Sequence, residues 1–256
     1  MGKTIQMNVS TGIAPSDPPL DLLRDASLFL DFDGTLVELE ETPDAVKVDA
    51  RLNAIIRRLK GSMAGRVAVI TGRPADQVRK LLEAEIAVVG SHGIEFVGMN
   101  GIRREPERTA DFDSVLAEMH LVAARIPGAL VENKPFGIAL HFRQCPSAEA
   151  ECVTLAGVLA ERYGLKLQPG KMMIEVRIAG GDKGSAIRTL MREPDMVGTR
   201  PVFMGDDLTD EPGFVAAEEL GGSGILVGAP RETAAVYRLG SVESALAWLE
   251  GAAKVT

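Results

Sequence analysis

Leu28-Phe29-Leu30-Asp31-Phe32-Asp33-Gly34-Thr35-Leu36 is the stretch that decides the fold. Three apolar residues run without alternation into two acids spaced i and i+2. An unbroken apolar run suits a strand covered on both faces, as in a parallel sheet. Such a strand delivers Asp31 and Asp33 to its carboxyl end, the edge where open α/β sheets bind ligands. Gly34 then permits a sharp turn. Two carboxylates there suit a divalent cation and a carboxylate nucleophile together, so phosphoryl chemistry is the first expectation.

Working outward, Leu52, Ile55, Ile56 and Leu59 form a helical stripe. Residues 67–70 read as a second buried strand ending at Thr71-Gly72-Arg73, and Pro74 suits a first helical position. Val78, Leu81 and Leu82 give the next helix its face, and residues 86–89 a third strand. Alternation of this kind predicts a parallel sheet flanked by helices. From about Glu105 to Ile178 the pattern changes. Phe112, Val115, Leu116, Met119 and Val122 mark a helix; 129–134 and 137–143 are alternating strands. Residues 148–162 are a helix with Val153, Ala156 and Leu159 on one face, and strands follow near 165–168 and 172–178. This is an inserted α+β module with an antiparallel sheet. After Gly180-Gly181, a helix over 183–191, strands at 202–204 and 225–227, and a helix over 242–249 resume the first pattern. The expected domains are a loose tail over 1–24, a core from 25–104 with 180–256, and a cap over 105–179.

The 256 residues are 46% apolar, enough for a real core, and the formal charge is −8. A phosphate-backbone binder would normally be basic, which argues against nucleic acid. No apolar run approaches the ~18 residues of a membrane span. Cys145 and Cys152 match neither a metal knuckle nor a redox pair. With no signal-peptide pattern, a cytoplasmic monomer is expected.

Four strand ends or helix starts carry reactive side chains: Asp31/Asp33, Thr71, Lys183 and Asp206/Asp207. Each has an ordinary alternative. Thr71 could cap the helix after Pro74, Lys183 could be a surface lysine, and Asp210 and Glu211 read as helix-start acids. Taken in order, the four resemble the motifs of the haloacid-dehalogenase (HAD) superfamily of phosphotransferases. The resemblance implies a Rossmann-like HAD core. It makes Asp31 the nucleophile and Asp33 the acid and base, with Thr71 and Lys183 donating to the phosphoryl group. It also implies Mg²⁺ held by Asp31, the main-chain carbonyl of Asp33, and Asp206, with Asp207 orienting Lys183 or a metal-bound water.

In the inserted module, Met172, Ile174, Val176 and Ile178 share one strand face and Met173, Glu175 and Arg177 the other. Glu132 pairs with Lys134 in spacing, and His141 with Arg143. The sheet is therefore apolar on one face and charged on the other. A charged face can simply meet water, or it can be a lid that reads a substrate. Its acids and lysine suit sugar hydroxyls, and its few rings do not suit base stacking.

The chain is similar to trehalose-6-phosphate phosphatases over nearly its whole length. The likeness rests on Asp31-Phe-Asp-Gly-Thr-Leu, Thr71-Gly72-Arg73, Ser91-His-Gly-Ile-Glu95, Glu132-Asn-Lys134 and His141-Phe-Arg143. It continues through Glu175-Val-Arg177, Lys183-Gly184 and Gly205-Asp-Asp-Leu-Thr-Asp-Glu211. By that resemblance Glu132, Lys134 and Glu175 bind the glucose distal to the phosphate, and His141, Arg143 and Arg177 shape the cap site. Gly72 and Arg73 join the substrate-binding set, and His92 belongs to a turn facing the cleft. The implied reaction is Mg²⁺-dependent hydrolysis of trehalose 6-phosphate. Ile178 and Pro212-Gly213 depart from the family pattern beside the expected chemistry. The rival readings are a phosphatase for sucrose 6-phosphate or a glycosyl-phosphoglycerate, a phosphohexomutase, and a non-catalytic sugar-phosphate binder.

Overall fold

The computed structural model describes residues 16–40, 45–83, 85–91, 93–106, 111–170, 172–178 and 180–256. In chain order the elements are β1 (Ala26–Leu30), α1 (Ala50–Ser62), β2 (Val67–Ile70), α2 (Ala75–Leu81), β3 (Ala87–Gly90), β4 (Glu95–Val97) and β5 (Arg103–Arg104). Next come α3 (Asp111–Ala123), β6 (Leu130–Asn133), β7 (Gly137–His141), α4 (Glu149–Arg162), β8 (Lys166–Gly170) and β9 (Met173–Arg177). Then follow α5 (Lys183–Leu190), β10 (Arg200–Gly205), α6 (Glu211–Glu219), β11 (Ser223–Val227), β12 (Tyr237–Leu239) and α7 (Val242–Ala252). The chain is an α/β protein with a mostly parallel sheet and a separate antiparallel one. It forms two compact units, the described residues up to Val67 with Ile187–Thr256, and Ala68–Ala186.

In the first unit the strand order is β12-β11-β10-β1 and every pairing is parallel. β1 and the core of β10 are buried along their length, as their apolar residues require, and buried Ser27 of β1 pairs its hydroxyl with that of Thr199 at 2.7 Å. α6 lies on β10 and β11. The Phe203 and Phe214 rings meet there at 5.3 Å, tilted by 46°. A side chain at Gly213 would overlap the Phe203 ring, so this departure from the family pattern lets α6 approach its strand. α1 packs with α7, Arg51 pairing with Glu243 and Glu250, and its expected stripe of Leu52, Ile55, Ile56 and Leu59 is buried. Of the predicted tail, residues 1–15 lie outside the described residues. Ser16 bridges Tyr237, Leu20–Leu23 form a short 3-10 turn, and the Trp248 indole N–H donates to the Pro18 carbonyl at 2.9 Å.

In the second unit β2 pairs with β3 in parallel, and β4 and β5 extend that ladder antiparallel. The antiparallel sheet has the order β6-β7-β9-β8. Ile138, Leu140, Ile174 and Val176 pack from it against Phe112, Val115 and Met119 of α3 and Cys152, Ala156 and Leu159 of α4. The strand faces alternate as expected. One helix face does not: Val153 is 41% exposed, and Cys152 takes the inward position. The buried stripe is Cys152, Ala156, Leu159 and Ala160, an i, i+4, i+7, i+8 set that turns Val153 to the outer edge. Pro74 stands one residue before α2 rather than as its first residue.

Candidate active site

The geometry begins at the end of β1. The Asp31 amide donates to the Met204 carbonyl of β10 at 2.9 Å, carrying the parallel ladder one residue past the end of β1. Asp31 is buried, and the Thr35 hydroxyl donates to its Oδ2 at 3.4 Å. The chain then doubles back: Leu36 and Val37 amides donate to the Phe32 carbonyl, and the Gly34 amide to that of Val37. Asp33, half-buried, bridges Val37 across this loop. Gly34 has φ +79°, and a Cβ there would overlap the Asp206 carboxylate. Two independent constraints therefore require glycine, a left-handed backbone and the close approach of an acid.

Asp206 follows β10 as Asp31 follows β1. The loop is organised from within by Asp210, which is fully buried and whose Oδ2 accepts from the Asp206 and Asp207 amides, each at 2.9 Å. The Asp207 side chain accepts from the Thr209 amide at 3.1 Å and caps the 3-10 turn Leu208–Asp210. Oxygen atoms of Asp31, Asp206 and Asp210 lie within 4.8 Å of one another. Sequence reasoning passed over Asp210 as a helix-start acid; its spacing of four from Asp206, at a strand end, was the available signal. Glu211 is more than a helix-start acid as well. Its carboxylate accepts from the Ala234 amide at 2.8 Å and from Arg231, whose Nη2 donates to the Asp207 carbonyl at 2.8 Å. No motif in the sequence pointed to Arg231.

In the second unit Thr71 follows β2, buried, with its amide on the Val89 carbonyl at 2.9 Å. Its hydroxyl oxygen accepts from the Arg73 amide at 3.1 Å, so it shapes its own turn and does not cap α2. That cap belongs to Glu95, whose Oε2 accepts from the Ala75 amide at 2.7 Å. Burial pushes the Glu95 carboxyl up from its ordinary value, against the Ala75 amide and Arg103, which pull it down. Gly72 is exposed and Arg73 buried. Lys183 is the first residue of α5 and is 3% exposed, unlike an ordinary surface lysine. Asp182 and Ser185 fix that helix start reciprocally: the Ser185 amide donates to Asp182 Oδ1 at 2.7 Å and the Asp182 amide to Ser185 Oγ at 2.8 Å.

On the antiparallel sheet, Glu132, Ala139 and Glu175 lie in register across β6, β7 and β9. Lys134 Nζ donates to Glu175 Oε2 at 2.9 Å and lies 3.9 Å from Glu132 Oε2. His141 Nε2 and Glu132 Oε2 are 2.9 Å apart. The sheet thus gathers Glu132, Lys134, His141 and Glu175 into one polar cluster. Arg143 lies beyond β7, exposed. Glu175 and Arg177 are buried although they sit on the charged face. His92 lies outside the described residues.

Residues 29–242 match the profile of the trehalose-phosphatase family. The chain belongs to that family. A probable trehalose-phosphate phosphatase of Sinorhizobium fredii is 38% identical over 222 residues, which is 86% of this chain and 83% of that protein. The trehalose-6-phosphate phosphatase of Escherichia coli is 37% identical over 227 residues, 87% of this chain and 84% of its own length. Among solved structures, a trehalose-6-phosphate phosphatase related protein superimposes with a TM-score of 0.71 at 26% identity, covering 89% of this chain and 97% of that one. As a trehalose phosphatase the chain is a phosphoric monoester hydrolase of the HAD fold.

Proposed function

We propose that this chain hydrolyses trehalose 6-phosphate to trehalose and phosphate through an aspartyl-phosphate on Asp31. The observation that carries the reading is the cluster of Asp31, Asp206 and Asp210 at the ends of two adjacent parallel strands. An all-oxygen donor set fits a hard divalent cation, where softer metals would select nitrogen or sulfur. Asp31, Asp206 and the Asp33 carbonyl would hold Mg²⁺, with Asp210 fixing the loop that presents Asp206. Bound there, the ion would neutralise charge on the phosphoryl group.

The rest of the chemistry falls to the chain. The Asp31 carboxylate attacks phosphorus, forming an acyl phosphate and breaking the bond to the sugar oxygen. Asp33 gives that oxygen its proton, then takes one from the water that attacks the acyl phosphate, which releases phosphate and restores Asp31. Its half-buried position suits a group that must exchange protons. The Thr71 oxygen is already an acceptor for Arg73, so its hydrogen is the part that meets a phosphoryl oxygen. Lys183 brings a compact charge to the same group, and Asp207 orients its surroundings.

Glu132, Lys134 and Glu175, with His141 and Arg143 beside them, read the distal glucose, the acids accepting from hydroxyls and the lysine donating. Gly72 and Arg73 line the approach. Residues 25–104 with 180–256 form the catalytic core and 105–179 the substrate-reading domain. The separate buried cluster between Phe112 and Val176 supports that division. Cys145 and Cys152 are free thiols, which suits a protein working in the reducing cytoplasm.

The test is phosphate release from a panel of phosphorylated sugars, with Mg²⁺ and with chelator. Trehalose 6-phosphate should lead and chelator should stop turnover. Asp31→Asn should abolish activity with the fold intact, and substantial turnover in that variant rules out covalent catalysis. Glu132→Ala should lose far more on trehalose 6-phosphate than on glucose 6-phosphate; equal losses rule out a distal-sugar reader.

A further inference from the structure

Arg177 is a buried cation whose donors the protein itself leaves largely unused. It is 8% exposed at the end of β9. Its Nη2 donates to the Gly181 carbonyl at 3.4 Å, the long end of the range, while Nε and Nη1 are buried with no hydrogen-bond partner among the described residues. A guanidinium offers five N–H donors and accepts nothing. Burying it with donors unpaired is strongly unfavourable, so acceptors supplied by a bound ligand would relieve it. Its charged neighbours are Glu175 and Asp182. Both are committed, Glu175 to Lys134 and Asp182 to the Ser185 amide. Burial outweighs them and pushes the guanidinium below its ordinary range.

The backbone around Arg177 fixes where those donors sit. Gly180 and Gly181 lead from β9 into α5. A Cβ at Gly180 would overlap Ile94, and one at Gly181 would overlap Ser185 Oγ. This packed segment carries a buried cation at each end, Arg177 and Lys183. We propose that Arg177 binds the phosphoryl group, its free N–H donors meeting phosphoryl oxygens in place of sugar hydroxyls. A hydroxyl would satisfy a donor and leave the buried charge uncompensated. A phosphoryl dianion supplies both acceptors and opposite charge, and two of its oxygens together match the planar fork of a guanidinium. The inference rests on the hydrolase reading above and moves Arg177 from the sugar-reading set to the anion-binding set. Thr71, Lys183 and Arg177 then form the phosphoryl donors of the second unit.

The two products separate these assignments, because phosphate carries the anion and trehalose only hydroxyls. Binding of inorganic phosphate and of trehalose to the full chain in Mg²⁺ is measured by calorimetry for wild type, Arg177→Gln and Arg177→Lys. Arg177→Gln should weaken phosphate about tenfold or more and leave trehalose within about twofold. Arg177→Lys keeps the charge without the fork and should fall between, which also serves if the glutamine variant does not fold. Weakened trehalose with unchanged phosphate overturns the proposal in favour of a sugar contact. A lowered melting temperature with both affinities unchanged overturns it in favour of a purely structural arginine. Failure of wild type to release phosphate from trehalose 6-phosphate would sink the hydrolase reading instead, whatever Arg177 does to phosphate binding.

Discussion

Single residues hold the candidate metal loops in place, and Gly34 shows how sharply. At φ +79° with Asp206 against its α-carbon, Gly34→Ala meets left-handed strain of roughly 1–2 kcal/mol. It also displaces an acid. The expected outcome is weaker Mg²⁺ binding in calorimetry as well as a lower melting temperature; a stability loss with unchanged metal affinity would contradict the packing argument. Glu132 offers a second check. The His141 hydrogen bond holds its carboxyl below the usual range, partial burial opposes this, and Lys134 adds to it. A carboxylate with a depressed folded pKa adds stability above its unfolded pKa and loses it as pH falls through the folded value. In His141→Ala the Glu132 carboxyl should titrate higher by carboxyl NMR, and the acid limb of the stability curve should flatten. The acids at strand ends were legible because chemistry-bearing residues interrupt apolar runs there. Asp210 and Arg231 were not, since their importance lies in which amides and carbonyls the folded loop leaves for them.

Elements built on long apolar runs or strong stripes were readable, and those held by a few edge contacts were not. α1 and the strands β1, β2 and β10 follow directly from their sequences. β4, β5 and β12 have two or three residues each, too few to show a period, and exist because a neighbouring strand offers an edge. α4 is the instructive middle case, because Val153 and Cys152 are both plausible inward residues and the phase of the stripe is set by α3 and the sheet. The consequence is measurable. Val153→Ser should change stability by no more than about 0.5 kcal/mol. Leu159→Ala, which empties a site inside the buried cluster, should cost about 2–5 kcal/mol in denaturant titrations. Comparable losses at the two positions would show that the helix is rotated from its described setting.

At the scale of the molecule, the first unit is assembled from both flanks of the chain, with the second inserted between them. The candidate metal acids Asp31, Asp206 and Asp210 come from both flanks of that unit, so an ion held there would be coupled to its folding. At a hundred times its dissociation constant, Mg²⁺ should stabilise the native chain by about 2.7 kcal/mol. For a chain of this size that is a rise of roughly 5–10 °C in melting temperature. Asp206→Asn should abolish the rise, and an undiminished shift in that variant would place the ion elsewhere. Among the described residues no helix is long and apolar enough to cross a membrane.

The pairing of Ala26 with Arg200 has a consequence for how the chain is made. On a ribosome adding about 5–20 residues per second, β1 leaves the exit tunnel on the order of 10–30 s before its partner exists. During that interval Leu28, Phe29 and Leu30 form a nascent hydrophobic segment with an unoccupied edge, a natural client for a holding chaperone. Synthesis that pauses before β10 would therefore yield aggregation and not a partly active enzyme.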